Sequence, residues 1–284
     1  MTDNAILLTS CPDKRGLIGT FSNFVFEHNG NIVNLEQHVD AEEQRFFMRL
    51  EWSLEDFALT RSELPNAVEQ LARNHGMSWS LHYSDEVPRM AVFVSRQSHC
   101  LLDILSRVQS RELAVEVPLV ISNHPDCRPF VEALGIAYHE VPISADSKAE
   151  QESRIIALLA EHNVDFVVLA RYMQILGPEF VARFANRIIN IHHSFLPAFP
   201  GARPYHSAHE RGVKIIGATS HYVTRDLDAG PIIEQDVIRV SHSDSIEDMV
   251  HKGRDLERLV LARAVWKHVQ RKVLVSGNRT LVFT

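Results

Sequence analysis

The chain has 284 residues, of which 45% are hydrophobic and 23% charged, and its formal net charge at pH 7 is −7. This length is enough for about two domains with cores of their own, and the composition excludes a disordered chain. Because nucleic-acid phosphates are bound by clustered Lys and Arg, the acidic charge and the lack of a long basic block argue against a nucleic-acid partner.

The cysteines and the amino terminus indicate the compartment. Cys11, Cys100 and Cys127 are odd in number, widely spaced and in no C-x-x-C pair, which argues against a disulfide framework and against a thiolate zinc site. The start MTDNAILLTSCPD has no basic region followed by a signal-length apolar run. No run approaches the roughly 20 apolar residues of a membrane span. We therefore predict a cytoplasmic protein with no membrane partner.

The amino-terminal residues 1–84 are predicted to form a small βαββαβ domain, which is the ferredoxin-like order. Leu17, Phe21 and Val25 fit one face of its first helix. The predicted strands are AILLTSC, NIVNLEQHVD, RFFMRLEWSL and SWSLHYS, and the second predicted helix is RSELPNAVEQLARNHG. In SDEVPRM, residues 84–90, two acids and a proline interrupt the hydrophobic pattern. This segment predicts a boundary with a second domain, residues 85–284.

The βαββαβ order and the segment CPDKRGLIGTFSNFVFEHNGNI resemble ACT domains, which are small regulatory modules that commonly bind an amino acid at a subunit interface. The resemblance implies a homo-oligomer and an amino-acid effector. The effector-binding residues would be Asp13, Gly16, Asn31 and Ile32. In the alternative interpretation, Gly16 and Gly30 serve only as a helix-start turn and a helix C-cap.

The second domain is predicted to be an α/β fold with a doubly wound, mostly parallel sheet. Its short apolar runs are RMAVFVS, VPLVIS, IAYHEVP, VDFVVLA and NRIINIHHS. They are separated by helical patterns in CLLDILSRVQS, CRPFVEALG and KAEQESRIIALLAEH. Buried strands that alternate with helices favour a parallel sheet, and a ligand of such a sheet binds outside the carboxyl ends of the strands.

A group of polar residues follows the apolar run in RIINIHHSFLPAFPG. Side chains two positions apart on a strand share a face, so Asn190 and His192 point the same way and His193 points the opposite way. An amide and an imidazole suit acyl transfer, because the amide stabilises an oxyanion and the imidazole exchanges a proton near neutral pH. Asp228, on the turn RDLDAGPII, is the candidate carboxylate that would orient His192. Taken singly, each residue type is more often structural.

The segments INIHHSFLPAFPG and ATSHYVTRDLDAGPII resemble the formyltransferase domain of folate-dependent glycinamide ribonucleotide formyltransferases. The resemblance covers roughly residues 88–284 and implies that Asn190, His192 and Asp228 are the catalytic residues. With the ACT-like domain ahead of this fold, nearly the whole chain resembles the formyltetrahydrofolate deformylase family. His221 is expected to line the same site, and the segment LARYMQIL is implied to line the folate pocket. The predicted substrate-binding residues are therefore Met173, Gln174, Ile175, Leu176 and His221.

The implied reaction is hydrolysis of 10-formyltetrahydrofolate to formate and tetrahydrofolate, with folate as the substrate and no cofactor. Formyl transfer to an amine acceptor and a non-catalytic sensor remain alternatives. Glycinamide ribonucleotide formyltransferases have a glycine-rich turn after the first strand of this domain, and its backbone N–H groups cradle the acceptor's phosphate. Here that turn reads VSRQSHCLL, and Arg96, Gln97 and His99 would hinder close backbone approach. Since Arg96 is itself able to bind an anion, the turn favours hydrolysis without excluding transfer.

A metal mechanism is not predicted, although the chain contains 16 histidines. His206 and His209 have the i, i+3 spacing of a ligand pair, and His221 follows them in sequence. The sequence has no H-E-x-x-H motif and offers no third ligand at a suitable spacing. We expect no metal among the site residues.

Overall fold

The computed structural model describes residues 3–142, 144, 147–198 and 204–284, and the chain divides into two compact units. The first unit extends to Glu86 and also includes Phe283 and Thr284, whereas the second runs from Val87 to Val282. The boundary predicted after residue 84 lies two residues before this division. The last two residues were assigned to the second domain, but they belong to the first unit.

The first unit contains a four-stranded antiparallel sheet and two helices. Its elements are β1 (Asn4–Pro12), α1 (Leu17–Glu27), β2 (Asn31–Asp40), β3 (Arg45–Ser53), α2 (Leu64–Arg73) and β4 (Ser78–Tyr83). The strands lie in the order β2-β3-β1-β4, and every neighbouring pair is antiparallel. The apolar face of α1 packs with the sheet in one core, in which Trp52 is fully buried.

The second unit is an α/β fold with a seven-stranded central sheet. Its strands are β5 (Met90–Val94), β6 (Leu119–Ser122), β7 (Ala137–Glu140), β8 (Phe166–Leu169), β9 (Ile188–His192), β10 (Ile215–Tyr222) and β11 (Ile232–Arg239). Its helices are α3 (His99–Gln109), α4 (Arg128–Ala133), α5 (Lys148–Glu161), α6 (Pro178–Arg183), α7 (Pro204–Arg211) and α8 (Ile246–Val269). A hairpin of β12 (Val273–Ser276) and β13 (Arg279–Val282) follows.

The central sheet has the order β11-β10-β9-β8-β5-β6-β7. Strands β5 to β9 pair in parallel, whereas β10 is antiparallel to both β9 and β11. The prediction of a mostly parallel sheet is thus confirmed. Because β5 lies between β6 and β8, the connections after β5 and β8 lead to opposite sides, and a crevice opens there at the carboxyl ends of the strands.

The continuous apolar runs of the sequence correspond to strands that are covered on both faces. In β5, Met90, Val92 and Val94 belong to one core cluster, whereas Ala91 and Phe93 belong to another. All five residues are fully buried. The alternation of side chains along the strand therefore supplies two cores from one run of apolar residues.

Helix α8 was not predicted from the sequence, although a start signal was present. Ser245 and Asp248 form a capping box, in which each side chain accepts a hydrogen bond from the other residue's backbone N–H. The helix then packs along β9, β10, β11 and α3. Within the part of the chain that the structure describes, no helix has the combination of length and apolarity needed to cross a membrane.

The packing around Phe93 predicts a large stability effect. Phe93 is fully buried, and its ring centroid lies 5.3 Å from that of Tyr172 and 6.1 Å from that of Phe180. We expect Phe93→Ala to lower the free energy of unfolding of the second unit by about 3–5 kcal/mol, because it leaves a cavity. Phe130→Ala, at a side chain that is 53% exposed, is the control and should cost less than about 1 kcal/mol. Equal losses in denaturant titrations would contradict this account.

Candidate active site

The neighbouring strands β9 and β10 bring Asn190 and His192 together with another histidine, His221. Asn190 and His192 lie on the last three residues of β9, at the carboxyl end of the strand. In the antiparallel ladder between β9 and β10, Asn190 pairs with His221. On the other side, Leu169 at the end of β8 pairs with Asn190. The site is therefore assembled on the sheet itself, where backbone hydrogen bonds fix the positions of its side chains.

Asp228 lies on the turn that joins β10 to β11. The turn is closed where the backbone N–H of Tyr222 donates to the carbonyl of Pro231 at 2.9 Å. Gly230 passes so close to Tyr222 that a Cβ atom would lie 1.8 Å from the Tyr222 carbonyl oxygen. Only glycine fits there. Asp228 itself has a left-handed backbone, with φ of 52°, which Asp tolerates better than most residues.

Four side chains converge at this point, and we call them the polar cluster: Asn190, His192, His221 and Asp228. His192 Nδ1 lies 3.2 Å from Asp228 Oδ2. Asn190 Nδ2 lies 3.2 Å from His221 Nε2. The distance from His221 Nε2 to Asp228 Oδ1 is 3.6 Å, too long for a good hydrogen bond. The three residues predicted to be catalytic are thus brought together by the fold, with His221 beside them.

The hydrogen bonds define the proton positions in the polar cluster. The hydrogen bond with His192 holds the pKa of Asp228 well below its usual range, despite partial burial. Asp228 is therefore ionised at neutral pH, and His192 donates its Nδ1–H to it. The other ring nitrogen, Nε2, is buried and has no hydrogen-bond partner among the described residues. A general base needs such an available nitrogen.

His221 is held by the backbone of the next residue, Tyr222. Its Nδ1 lies 2.9 Å from the carbonyl oxygen of Tyr222, so Nδ1 carries the hydrogen. In the neutral ring Nε2 is then an acceptor, and Asn190 donates one amide hydrogen to it. The second amide hydrogen of Asn190 remains available. His221 is only 2% exposed.

His193 is adjacent to the polar cluster but is not one of its four members. Its ring packs between those of His192 and Tyr205, with centroid distances of 5.1 and 6.1 Å. Burial, together with the positive charge of Arg171, lowers the pKa of His193 to about 4. His193 is therefore neutral at pH 7.

The segment predicted to line the folate pocket begins where β8 ends. Met173 and Ile175 are 60% and 61% exposed. Gln174 is partly buried, and Leu176 packs partly against the core. Leu227, beside Asp228, is 67% exposed and was not predicted as a site residue. These apolar side chains flank the sheet end that carries the polar cluster.

The residues predicted to bind an effector form two separate pairs within one chain. Asp13 follows β1, whose last residue pairs with Arg45 at one end of β3. Asn31 pairs with Ser53 at the other end of β3, and Ile32 is next to it. Nine residues of strand separate the two ends by about 25 Å, at roughly 3.3 Å per residue. Gly16 is at the start of α1, with a left-handed φ of 90°.

A buried ionic network in the second unit was not foreseen from the sequence. Ligand-type atoms of His99, Cys100 and Glu257 lie within 4.8 Å of one another. Burial and the charge of Glu257 raise the pKa of the Cys100 thiol well above its usual range, and a protonated thiol is a poor metal ligand. The carboxylate already accepts hydrogen bonds from His99 and Tyr205. All three cysteines of the chain are buried and unpaired.

Comparison with known proteins shows which family this chain resembles. Residues 88–265 match the formyl transferase family. The chain is 55% identical to a formyltetrahydrofolate deformylase of Synechocystis sp., over 98% of both chains. The crystal structure of a formyltetrahydrofolate deformylase from Pseudomonas syringae pv. tomato superposes with a TM-score of 0.98 at 46% identity, covering 100% of this chain and 95% of that chain.

A more distant neighbour covers only part of the chain. The crystal structure of glycinamide ribonucleotide transformylase 1 from Symbiobacterium toebii is 28% identical, with a TM-score of 0.66, and covers 72% of this chain and 98% of that chain. The second unit is accordingly a formyltransferase fold. Since the full-length relatives match both units, the chain belongs to the formyltetrahydrofolate deformylase family.

The environment of His193 predicts a pH dependence of stability. Because the pKa is about 4 in the folded protein and about 6.5 in the unfolded chain, stability is fully present above pH 6.5 and is lost as pH falls towards 4. The loss amounts to about 3 kcal/mol. We expect His193→Gln to flatten the unfolding free energy over this range in urea titrations. The control is His206→Gln, at an exposed histidine of α7. An unchanged slope in the His193 variant would contradict the assignment.

Proposed function

We propose that the polar cluster is the catalytic site at which the enzyme hydrolyses 10-formyltetrahydrofolate to formate and tetrahydrofolate. Membership of the deformylase family supplies the activity. The residue roles rest on one observation: Asp228 holds Nδ1 of His192, which leaves Nε2 available beside the amide of Asn190. We assign Asn190, His192 and Asp228 as catalytic residues.

In the first step, water attacks the formyl carbon while His192 Nε2 takes a proton from the water. The carbonyl π bond opens, and its oxygen becomes the oxyanion of a tetrahedral intermediate. Asn190 donates its second amide hydrogen to this oxyanion. The imidazolium that forms on His192 is stabilised by ionised Asp228, which also fixes the ring orientation.

In the second step, the tetrahedral intermediate collapses and the bond from carbon to N10 breaks. His192 Nε2–H donates its proton to the departing nitrogen, which gives tetrahydrofolate. The formic acid that remains loses a proton to solvent as formate. The ring of His192 returns to its neutral state, and the reaction requires neither a cofactor nor a metal.

We assign His221 a positioning role instead of the predicted substrate contact. It is almost fully buried, and both ring nitrogens are engaged, one with the Tyr222 carbonyl and one with the Asn190 amide. Its effect is to turn the Asn190 amide so that one hydrogen points away from His221. The substrate-binding surface is then built from the exposed apolar side chains Met173 and Ile175, which suit the flat rings of folate.

The turn after β5 supports water, rather than a phosphorylated amine, as the nucleophile. Gln97 in that turn accepts a hydrogen bond from Arg171, and His99 is bonded to Glu257. A phosphate would have to approach the backbone N–H groups of this turn closely. The side chains of Gln97 and His99, which are held by other protein groups, hinder that approach.

Formate release tests the function directly. Incubation of the enzyme with 10-formyltetrahydrofolate and no amine should release formate and tetrahydrofolate in equal amounts. We expect Asn190→Ala, His192→Ala and Asp228→Asn each to lower kcat by about a hundredfold or more, because each loses oxyanion stabilisation or proton transfer. Circular dichroism should show that the variants remain folded.

Asp226→Asn is the matched control, because Asp226 is an exposed carboxylate on the same turn. Its kcat should remain within about twofold of the wild-type value. More than about a tenth of wild-type kcat in Asp228→Asn would refute the role of that carboxylate. Formate release that depends on an added amine would instead indicate a transferase, and binding of folate without turnover would indicate a sensor.

For the first unit, we propose an ACT-like regulatory domain of ferredoxin-like fold. The βαββαβ order and the antiparallel strand order β2-β3-β1-β4 support the proposal. Because Asp13 and Gly16 lie about 25 Å of strand away from Asn31 and Ile32, one effector site would take its two halves from two chains. The proposal therefore includes a homo-oligomer with an amino acid bound between copies.

A titration with the twenty amino acids tests this regulation. At least one should change the rate of formate release by about 5- to 150-fold, which corresponds to the usual coupling between two sites. Asn31→Ala should abolish the response and leave the unliganded rate unchanged, because Asn31 is exposed and remote in sequence from the polar cluster. Asn66→Ala, at another exposed asparagine of this unit, should respond as the wild type does.

Sedimentation at several concentrations measures the assembly. A monomeric enzyme would contradict the shared effector site. So would a set of titrations in which no amino acid alters either the rate or the thermal midpoint.

A further inference from the structure

Glu257 is the only buried acidic side chain among the residues that the structure describes, with 1% of its surface exposed. It lies in the middle of α8 and takes no part in the chemistry assigned to the polar cluster. An isolated carboxylate in such a place would be strongly unfavourable. The burial of Glu257 therefore requires partners that compensate its charge. It also requires an explanation of why an acidic residue is kept there.

The partners of Glu257 come from three different parts of the second unit. His99 Nε2 lies 2.8 Å from one carboxylate oxygen, and Tyr205 Oη donates to the other at 2.9 Å. Arg171 Nε completes an ion pair at 3.5 Å. Burial alone would raise the pKa of the Glu257 carboxyl, but the His99 hydrogen bond and the Arg171 charge outweigh it, so the net pKa is lowered.

Arg171 has a backbone conformation that costs free energy for a residue with a side chain. Its φ is 63°, in the left-handed region where glycine is favoured. Such a conformation persists only where the surrounding structure enforces it. The side chain is 10% exposed, and its Nε also donates to Gln97 at 3.2 Å. An arginine at a position that suits glycine indicates that the side chain itself is needed.

The Arg171 contacts lie at the crevice between the ends of β5 and β8. The carbonyl of Arg171 accepts a hydrogen bond from Ser95 N, just beyond β5. Ser95 Oγ in turn accepts the backbone N–H of Met173 at 3.0 Å and donates to Asn123 at 2.7 Å. The chain from 171 to 177 has no regular structure of its own, so these bonds determine its path.

We propose that the ion pair of Arg171 and Glu257 is a clamp that fixes residues 171–176 as the wall of the folate site. Arg171 and Glu257 are positioning residues, which act through the placement of Met173 and Ile175. The inference rests on the function proposed above, because it takes these exposed apolar side chains as the folate contacts. It explains both the burial of the Glu257 carboxylate and the left-handed backbone conformation of Arg171.

Steady-state kinetics of three variants tests the clamp. Arg171→Met should raise KM for 10-formyltetrahydrofolate about tenfold and leave kcat within about threefold, because the polar cluster is untouched. It should also lower the thermal midpoint, because a buried carboxylate loses its cation. Arg171→Met combined with Glu257→Gln should restore the thermal midpoint while KM stays raised. The control is Arg263→Met, which lies on the same helix as Glu257 and removes an exposed ion pair with Asp236 on β11, and it should match the wild type.

The double variant separates positioning from general stability. If its KM returns to within twofold of the wild-type value along with the thermal midpoint, the pair is only structural and the proposal fails. An unchanged KM in Arg171→Met also overturns it.

Amide hydrogen exchange without ligand tests the clamp independently of the reaction. Protection of the Met173 amide should fall at least tenfold in the double variant. Protection of the Gly177 amide should change less than threefold, because it is held separately by Glu152 at 2.7 Å. Unchanged Met173 protection would refute the clamp. If the wild type released no formate but Met173 lost protection, the clamp would stand and the proposed function would fail.

Discussion

The reversal of strand direction between β9 and β10 is the constraint on which the site depends. A parallel neighbour would need a crossover connection and would leave the carboxyl end of β9 without an adjacent turn. The antiparallel pairing places His221 opposite Asn190 and sends the chain into the turn that carries Asp228. The close approach of Gly230 to Tyr222 then fixes the height of that turn above the sheet.

The two adjacent histidines at the end of β9 show how surroundings decide the chemistry of one residue type. His192 lies beside the ionised carboxylate of Asp228, so the positive charge that its ring gains with a proton is compensated. His193 is buried with Arg171 nearby, so its ring remains neutral over the physiological range. In the proposed mechanism, proton transfer is thereby confined to one ring, although the two centroids are only 5.1 Å apart.

Buried charge in the second unit serves two different purposes at the same edge of the sheet. Asp228 is half-buried and holds the ring of His192, the proposed general base. Glu257 is fully buried, and its partners come from the start of α3, the start of α7 and the residue that opens the proposed folate-binding segment. The crevice formed by the strand order thus contains both the residues proposed for catalysis and the contacts proposed to shape its wall.

The sequence by itself determined the two-domain plan, the βαββαβ order and the mostly parallel sheet, and it predicted Asn190, His192 and Asp228 as site residues, which the fold brings together. The elements follow from short-range periodicity, whereas the three site residues follow from two short motifs and the family resemblance that those motifs carry. The tertiary structure alone decided that β10 is antiparallel, that Asp13 and Asn31 lie at opposite ends of β3, and that Glu257 meets Arg171. Such contacts join residues that are distant along the chain. Neither periodicity nor local spacing contains information on which distant side chains will share one buried space, because packing of the whole fold selects them.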